Sequence, residues 1–294
     1  MLDRRAFATG LAAAGLVLRA ASAAPRLALR ILPGDGEEAA ATLALMRERW
    51  PSAVVMESGR RPGDLAGAAV YVALGPRSLA LSADAEPGST VVALLVSRQG
   101  YERTARELGA RGVLPTAVYA EASPAQQMRL IAAIFRRTVA VGVLVSPAAT
   151  AMLADLRQAA DAARLDLEVV HASPAIPLSR SLQKLQRVAV VLVFPDATLY
   201  TPSSLRELLE ASYRRRLPVV GFSPSLVRAG TLATAYADAA GLVAQLSGVL
   251  GAIAGGRVPA AVYPRYWRVV VNDSVARSLD VVIDEPVRQL GERP

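Results

Sequence analysis

The sequence predicts an α/β chain of two doubly wound lobes, each a parallel sheet covered by helices on both faces, with a ligand cleft between the lobes. Three observations lead there. Short Val- and Leu-rich runs alternate with longer amphipathic stretches, and near residue 139 the alternation begins again. Gly and Pro residues punctuate the runs. The chain of 294 residues is longer than one typical domain, and its 53% apolar residues are ample for two cores. Strands buried on both faces read as continuous apolar runs, and alternation with helices favours parallel pairing.

The elements follow in order. Leu27–Leu32 reads as a strand, and Glu37–Trp50 as a helix with Leu43, Met46 and Trp50 on its apolar side. Val54–Met56, Val70–Leu74 and Val91–Val96 are further strands, separated by Gly59, Pro62, Gly75-Pro76 and Pro87-Gly88. Val113–Tyr119 is a weaker strand, and Pro124–Phe135 a helix that the Ser123 hydroxyl can cap. The second cycle opens with the apolar run Val139–Val145, then a helix over Ala149–Arg164 and a strand over Leu167–Val170. Leu178–Leu185 is a helix, Val188–Phe194 the most apolar strand, Ser203–Arg216 a helix and Pro218–Phe222 a strand. Leu226–Ala229 is a turn or short helix, and Thr231–Ala235 a strand or a hinge. Gly241–Gly255 is a helix stopped by Gly255-Gly256, Trp267–Val271 a last strand, and Asp273–Leu279 a helical turn.

Composition removes much of catalysis. With no cysteine there is no disulfide framework, no thiolate metal site and no cysteine nucleophile. His171, the one histidine, would have to serve any Ser-His-Asp triad, and within His-Ala-Ser-Pro it reads as a loop histidine. Ser181-x-x-Lys184 has the spacing of a Ser-Lys pair but lies on a polar helix without a partner motif. Gly34-Asp35-Gly36 lacks both GxGxxG spacing and a GKS/T ending, and reads as a loop before a helix. No enzyme, cofactor or metal site is expected. The formal charge of +8 is carried almost wholly by arginine, and runs such as Arg214-Arg215-Arg216 lack interleaved aromatics, so no nucleic-acid partner is expected.

Residues 1–23 combine Arg4-Arg5, the apolar run Leu11 to Leu18 and Ala21-Ser22-Ala23. This is the pattern of a cleaved secretory signal of twin-arginine type, too short in its apolar run for the roughly 20 residues of a bilayer span. An uncleaved N-terminal anchor is the alternative. The expected location is the periplasm, with the membrane reached only through a protein partner.

Ligands of doubly wound sheets sit outside the carboxyl ends of the strands. The residues there include Gly75-Pro76-Arg77, Ser97-Arg98, Ser146-Pro147, Pro195-Asp196-Ala197-Thr198, Phe222-Ser223-Pro224 and Tyr236. Asp196 either faces a ligand amine or hydroxyl, or caps the helix that follows. Arg77 and Arg98 either pair with an anionic group or are solvated.

At these residues a resemblance appears. Gln126-Gln127 followed by Val139-Ala140-Val141-Gly142-Val143-Leu144-Val145-Ser146-Pro147 resembles the "QQ…RVGVLYSP" stretch of the ABC-transporter substrate-binding family that includes tryptophan- and tyrosine-binding proteins. Pro195-Asp196-Ala197-Thr198 is similar to its "PxDNT" segment, and Leu217–Ser223 with Ser225–Gly230 to its "IPVFASxxSLVKxGA". The likeness covers roughly residues 120–285. It implies a type I periplasmic-binding fold, with lobe one formed by 24–136 plus about 237–263 and lobe two by 137–236 plus about 264–294.

It also implies a function: capture of a small organic molecule, an amino acid or an aromatic or anionic metabolite, for delivery to an ABC permease. Asp196, Thr198, Ser146 and Ser223 would hold the ligand from lobe two, Ser97 and Arg77 from lobe one, and Phe222 or Tyr236 would stack on a ring. Departures from the family pattern support a different role. Ala197 stands where the family has Asn, Ser223-Pro224-Ser225 replaces an acidic "ASDES", Tyr236 replaces an acidic residue, and lobe one is short around Gly59–Gly67. The rival is an interaction or sensor protein of the periplasm with a decayed cleft.

Overall fold

A computed structural model describes residues 28–57 and 60–294. The signal-like residues 1–23 lie outside the described residues. The first sheet comprises β1 (Leu29–Leu32), β2 (Val54–Val55), β3 (Val70–Leu74), β4 (Thr90–Leu94) and β5 (Leu114–Ala117), in the order β2-β1-β3-β4-β5. All its pairings are parallel. Its connections carry α1 (Glu37–Arg49), α2 (Pro76–Leu81) and α3 (Arg98–Ala110). Between β2 and β3, where the sequence is short, the described residues form a 3-10 turn over Pro62–Asp64.

Strand alternation sorts the side chains to two cores. Val70, Val72 and Leu74 of β3 pack with Met46 of α1, whereas Tyr71 and Ala73 pack with Leu79 and Leu108 beneath α2 and α3. With side chains alternating across a pleated strand, five consecutive buried residues are needed to fill both faces.

The chain then continues through α4 (Pro124–Phe135), β6 (Ala140–Val145), α5 (Leu153–Ala162), β7 (Asp166–His171), α6 (Leu178–Gln183) and β8 (Val190–Leu192). It goes on through α7 (Pro202–Arg214), β9 (Val219–Val220), α8 (Pro224–Ala229), β10 (Ala233–Tyr236), α9 (Ala239–Ala254), β11 (Arg268–Val271), α10 (Asp273–Ser278) and α11 (Glu285–Arg288). The second sheet has the order β11-β10-β9-β8-β6-β7. It is parallel except at its edge, where β11 runs antiparallel to β10.

Two helices are placed by packing rather than by chain order. The apolar α9 lies on the first sheet: Leu242, Leu246, Val249 and Ile253 share a core with Met46 and Val92. Helix α4 lies on the second sheet. Met128, Leu130, Ile131 and Ile134 pack with Val141, Val143 and Leu156. The expected change of lobe near residue 136 therefore corresponds to a change of core before α4. The reason is visible in Gln127, whose amide donates to Ala235 O at 2.9 Å and accepts from Ala235 N–H at 3.1 Å, fixing α4 to β10. Ser123 and Gln126 form a reciprocal cap at the start of α4, and Gln126 also donates to Pro264 O at 2.8 Å.

Three segments cross between the sheets: 118–123, 236–238 and 262–267. Val118 bridges Val262 in parallel, and Glu121 bridges Tyr236 in antiparallel register. Asp238 caps α9 through Gly241 N–H at 2.8 Å and pairs with Arg268 of β11 at 2.7 Å, so one carboxylate ties both sides together.

Candidate functional site

The carboxyl ends of the two sheets face each other around a cavity of about 440 Å³. That volume falls within the range of small-molecule sites. On the first-sheet side it is lined by Glu38, Pro76, Ser97, Gln99 and Arg103, from the starts of α1 and α2 and the first two turns of α3. The second sheet contributes Pro195, Asp196, Tyr200, Phe222 and Ser223. The crossing segments supply Ala120, Glu121 and Tyr236.

Five residues expected at the site line this cavity: Ser97, Asp196, Phe222, Ser223 and Tyr236. Three do not. Arg77 is an exposed side chain 3.6 Å from Asp35. Ser146 is fully buried just past the end of β6. Thr198 is exposed and its N–H donates to Asp196 Oδ1 at 3.0 Å.

Asp196 itself is nearly inaccessible, and both its carboxylate oxygens accept backbone bonds. Oδ1 takes the Thr198 N–H and Oδ2 takes the Ser146 N–H at 3.2 Å. The carboxylate thus joins the exits of β8 and β6. The N–H groups that donate to it are those of Thr198 and of the β6 exit, not those of the helix cap the sequence left open as one of its two roles. Tyr200 behind it donates to Leu144 O at 3.1 Å and packs edge-on against Phe194. Burial pushes the Tyr200 hydroxyl well above the usual tyrosine range, with the Asp196 charge adding to the rise. Ser97 and Ser223 cap α3 and α8 through Gly100 N–H and Leu226 N–H. The Ser97 hydroxyl keeps its own hydrogen for a further bond, whereas the Ser223 hydroxyl also meets that of Ser225 at 2.8 Å.

The residues that sequence reasoning missed come mainly from α3 and the first crossing. Helix α3 was not foreseen, although Ser97 precedes Tyr101 and Leu108, an apolar pair at helical spacing behind a capping serine. It brings Gln99 and Arg103 to the cavity. Gln99 Oε1 accepts the Ala197 N–H at 3.2 Å, a bond from one side of the cleft to the other. Arg98 points away from the cavity. Its guanidinium donates to Glu102 at 2.7 Å, to Asp155 on the second-sheet side and to the Tyr263 hydroxyl at 3.4 Å.

Glu121 was also missed. It is 4% exposed; Oε1 accepts the Arg98 N–H at 2.9 Å, while Oε2 is buried with no hydrogen-bond partner among the described residues. Burial pushes its carboxyl up to about 7, against the lowering effects of the Arg98 N–H, its own N–H and the Arg98 charge. Its only sequence signal is a lone acid between Ala120 and Ala122 after a strand.

The sequence matches no protein-family model and no curated relative. Solved structures do match. A ligand-free, open substrate-binding protein with adhesive properties from Clostridium difficile aligns over 90% of this chain and 99% of its own, with TM-score 0.66 and 11% identity. An ABC domain from Streptococcus pneumoniae in complex with L-Trp aligns over 88% and 96%, with TM-score 0.58 and 16% identity. A conserved domain protein from Vibrio cholerae aligns over 90% and 98%, with TM-score 0.58 and 18% identity. The chain has the substrate-binding-protein fold. At such identities the likeness establishes the architecture alone, so any ligand must be argued from this chain's own cavity. Among the described residues, no helix of this substrate-binding fold is long and apolar enough to cross a membrane.

Proposed function

We propose that this protein is an exported, non-catalytic solute-binding protein that captures a small organic molecule between its lobes and delivers it to an ABC permease. The observation that carries the reading is the cavity of about 440 Å³ walled by strand-exit residues of both sheets, with the crossing segments alongside. The reading divides the chain at those segments: 28–120 with 237–263 form one lobe, and 121–236 with 264–294 form the other. Phe222 and Tyr236 offer apolar faces to a ring or hydrocarbon body, Ser97 and Ser223 offer hydroxyls, and Gln99 and Arg103 add donors from lobe one. The signal-like N-terminus supports the periplasm as its location.

A second reading has its own support. Asp196 spends its carboxylate on backbone N–H groups, and Ala197 offers no amide beside it. A cleft so depleted suits an interaction or sensor protein that no longer takes a small solute.

A thermal-shift screen of residues 24–294 against amino acids, aromatic acids, purines and small organic anions tests the choice. Ligand at a hundred times its dissociation constant stabilises the folded state by about 2.7 kcal/mol, a shift of roughly 5–10 °C for a chain of this size. A saturable shift supports solute capture; a flat screen on folded protein favours the interaction role.

A further inference from the structure

Glu121 holds a buried carboxyl oxygen without a partner on a segment where the chain passes from one sheet to the other. We propose that lobe closure is coupled to protonation of Glu121, each closing event taking up a proton and each opening releasing it. The inference rests on reading the cleft as one that opens and closes.

The argument is geometric. One oxygen of Glu121 is held by the N–H of Arg98, on the first-sheet side. The same side chain lines a small space walled by Pro195 and Phe222, at strand exits of the second sheet. Its burial therefore depends on elements from both lobes. Bringing them together removes water from a carboxyl that has one N–H bond where a carboxylate accepts several, which favours the neutral form. Parting them returns water and favours the anion.

The neighbouring charges do not compensate for the anion. On α3, Arg98 directs its guanidinium to Glu102 and Asp155, and neither oxygen of Glu121 receives it. Glu102 adds a repulsive charge from the same helix. The crossing segments present the phenols of Tyr119, Tyr236 and Tyr263, and α4 the neutral Gln127. Asp196 at the exit of β8 and Glu38 at the start of α1 are further acids on the cavity wall, and the exposed Arg103 of α3 is a cation there. The Arg98 guanidinium is thus shared between two other carboxylates. With the two sides in contact as observed, the carboxyl stands near 7.

The sign follows from linkage. A carboxyl titrating near its ordinary value in the open form and near 7 in the closed form makes closure easiest at low pH. Between those two values the closed-to-open ratio falls by up to about tenfold per pH unit as pH rises. Above the upper value it levels off.

The chain has no native cysteine, so Arg106→Cys on α3 and Arg206→Cys on α7, both exposed, take spin labels on opposite sides of the cleft. Distance distributions from electron spin resonance on this ligand-free protein are recorded from about pH 5 to about pH 8. The short-distance population is expected to decline with rising pH and to hold constant in Glu121→Gln, with Glu121→Leu as a second variant that cannot ionise. Unchanging distances in the parent protein, or the same decline in a folded non-ionisable variant, would overturn the coupling. The ligand screen and this titration fail separately. A flat screen with pH-dependent distances removes solute capture alone; hits with pH-independent distances remove the coupling alone.

Discussion

At the scale of single residues, two acids on the cavity wall differ in how their oxygens are used. Asp196 accepts two backbone N–H bonds across the ends of β6 and β8, whereas Glu121 accepts one and leaves an oxygen unpartnered. Removing the acceptor strands the buried Ser146 N–H, at a cost of about 1–3 kcal/mol, while the Thr198 N–H lies near solvent. Asp196→Ala is therefore expected to lower unfolding stability by about 1–3 kcal/mol, measured by urea denaturation. Loss of ligand affinity without loss of stability would instead return Asp196 to the ligand. The sequence located Asp196 at a strand exit because the apolar run before it is unmistakable. Which of its neighbours' N–H groups would turn toward it depends on how two exits are juxtaposed in space, and that juxtaposition leaves no mark in local sequence. Glu121 was harder still, since one acid among alanines looks the same whether it is solvated or buried.

At the scale of elements, the strands were the legible part, because burial on both faces demands runs such as Val70–Leu74 and Ala140–Val145. Gly142, midway along β6, shows how tightly these strands are covered. A Cβ there would lie 2.7 Å from Leu185 Cδ1 and 3.1 Å from Val188 Cγ1. Gly142→Ala is expected to cost about 1–3 kcal/mol by overpacking, read as a lower midpoint in thermal or urea unfolding. A neutral effect would mean that Leu185 and Val188 move aside freely. Helices were less evenly readable. Helix α9 is apolar enough to announce itself, but α3, with Arg98, Glu102, Arg103, Arg106 and Glu107, hides its two buried anchors among charges. Helix α4 was recognised as a helix while its partner sheet was not. The side chain that fixes that partner, Gln127, is polar, and hydropathy patterns cannot reveal what a buried amide will bond.

At the scale of the whole molecule, the two lobes touch beyond the crossing segments. Gln99 meets Ala197, and Arg98 meets Asp155 while resting over the Tyr263 ring at 6.0 Å. Arg98→Ala is expected to favour the parted lobes, seen as a larger radius of gyration in small-angle X-ray scattering with secondary structure unchanged. An unchanged radius would mean that the crossing segments alone hold the lobes at their observed separation. The two-lobed fold class could be read from two βα cycles, whereas the threading between them became visible only once α9 was seen against Met46 and Val92. That threading governs the order in which the chain can mature. On the ribosome, the five strands of the first sheet emerge with one face lacking the cover that α9 provides, and this cover arrives only after most of the second sheet has been made. The first half must therefore wait, with that face covered only in part by α1, for a helix more than a hundred residues downstream, and the late, long-range contact that completes it belongs to the slow class of folding events.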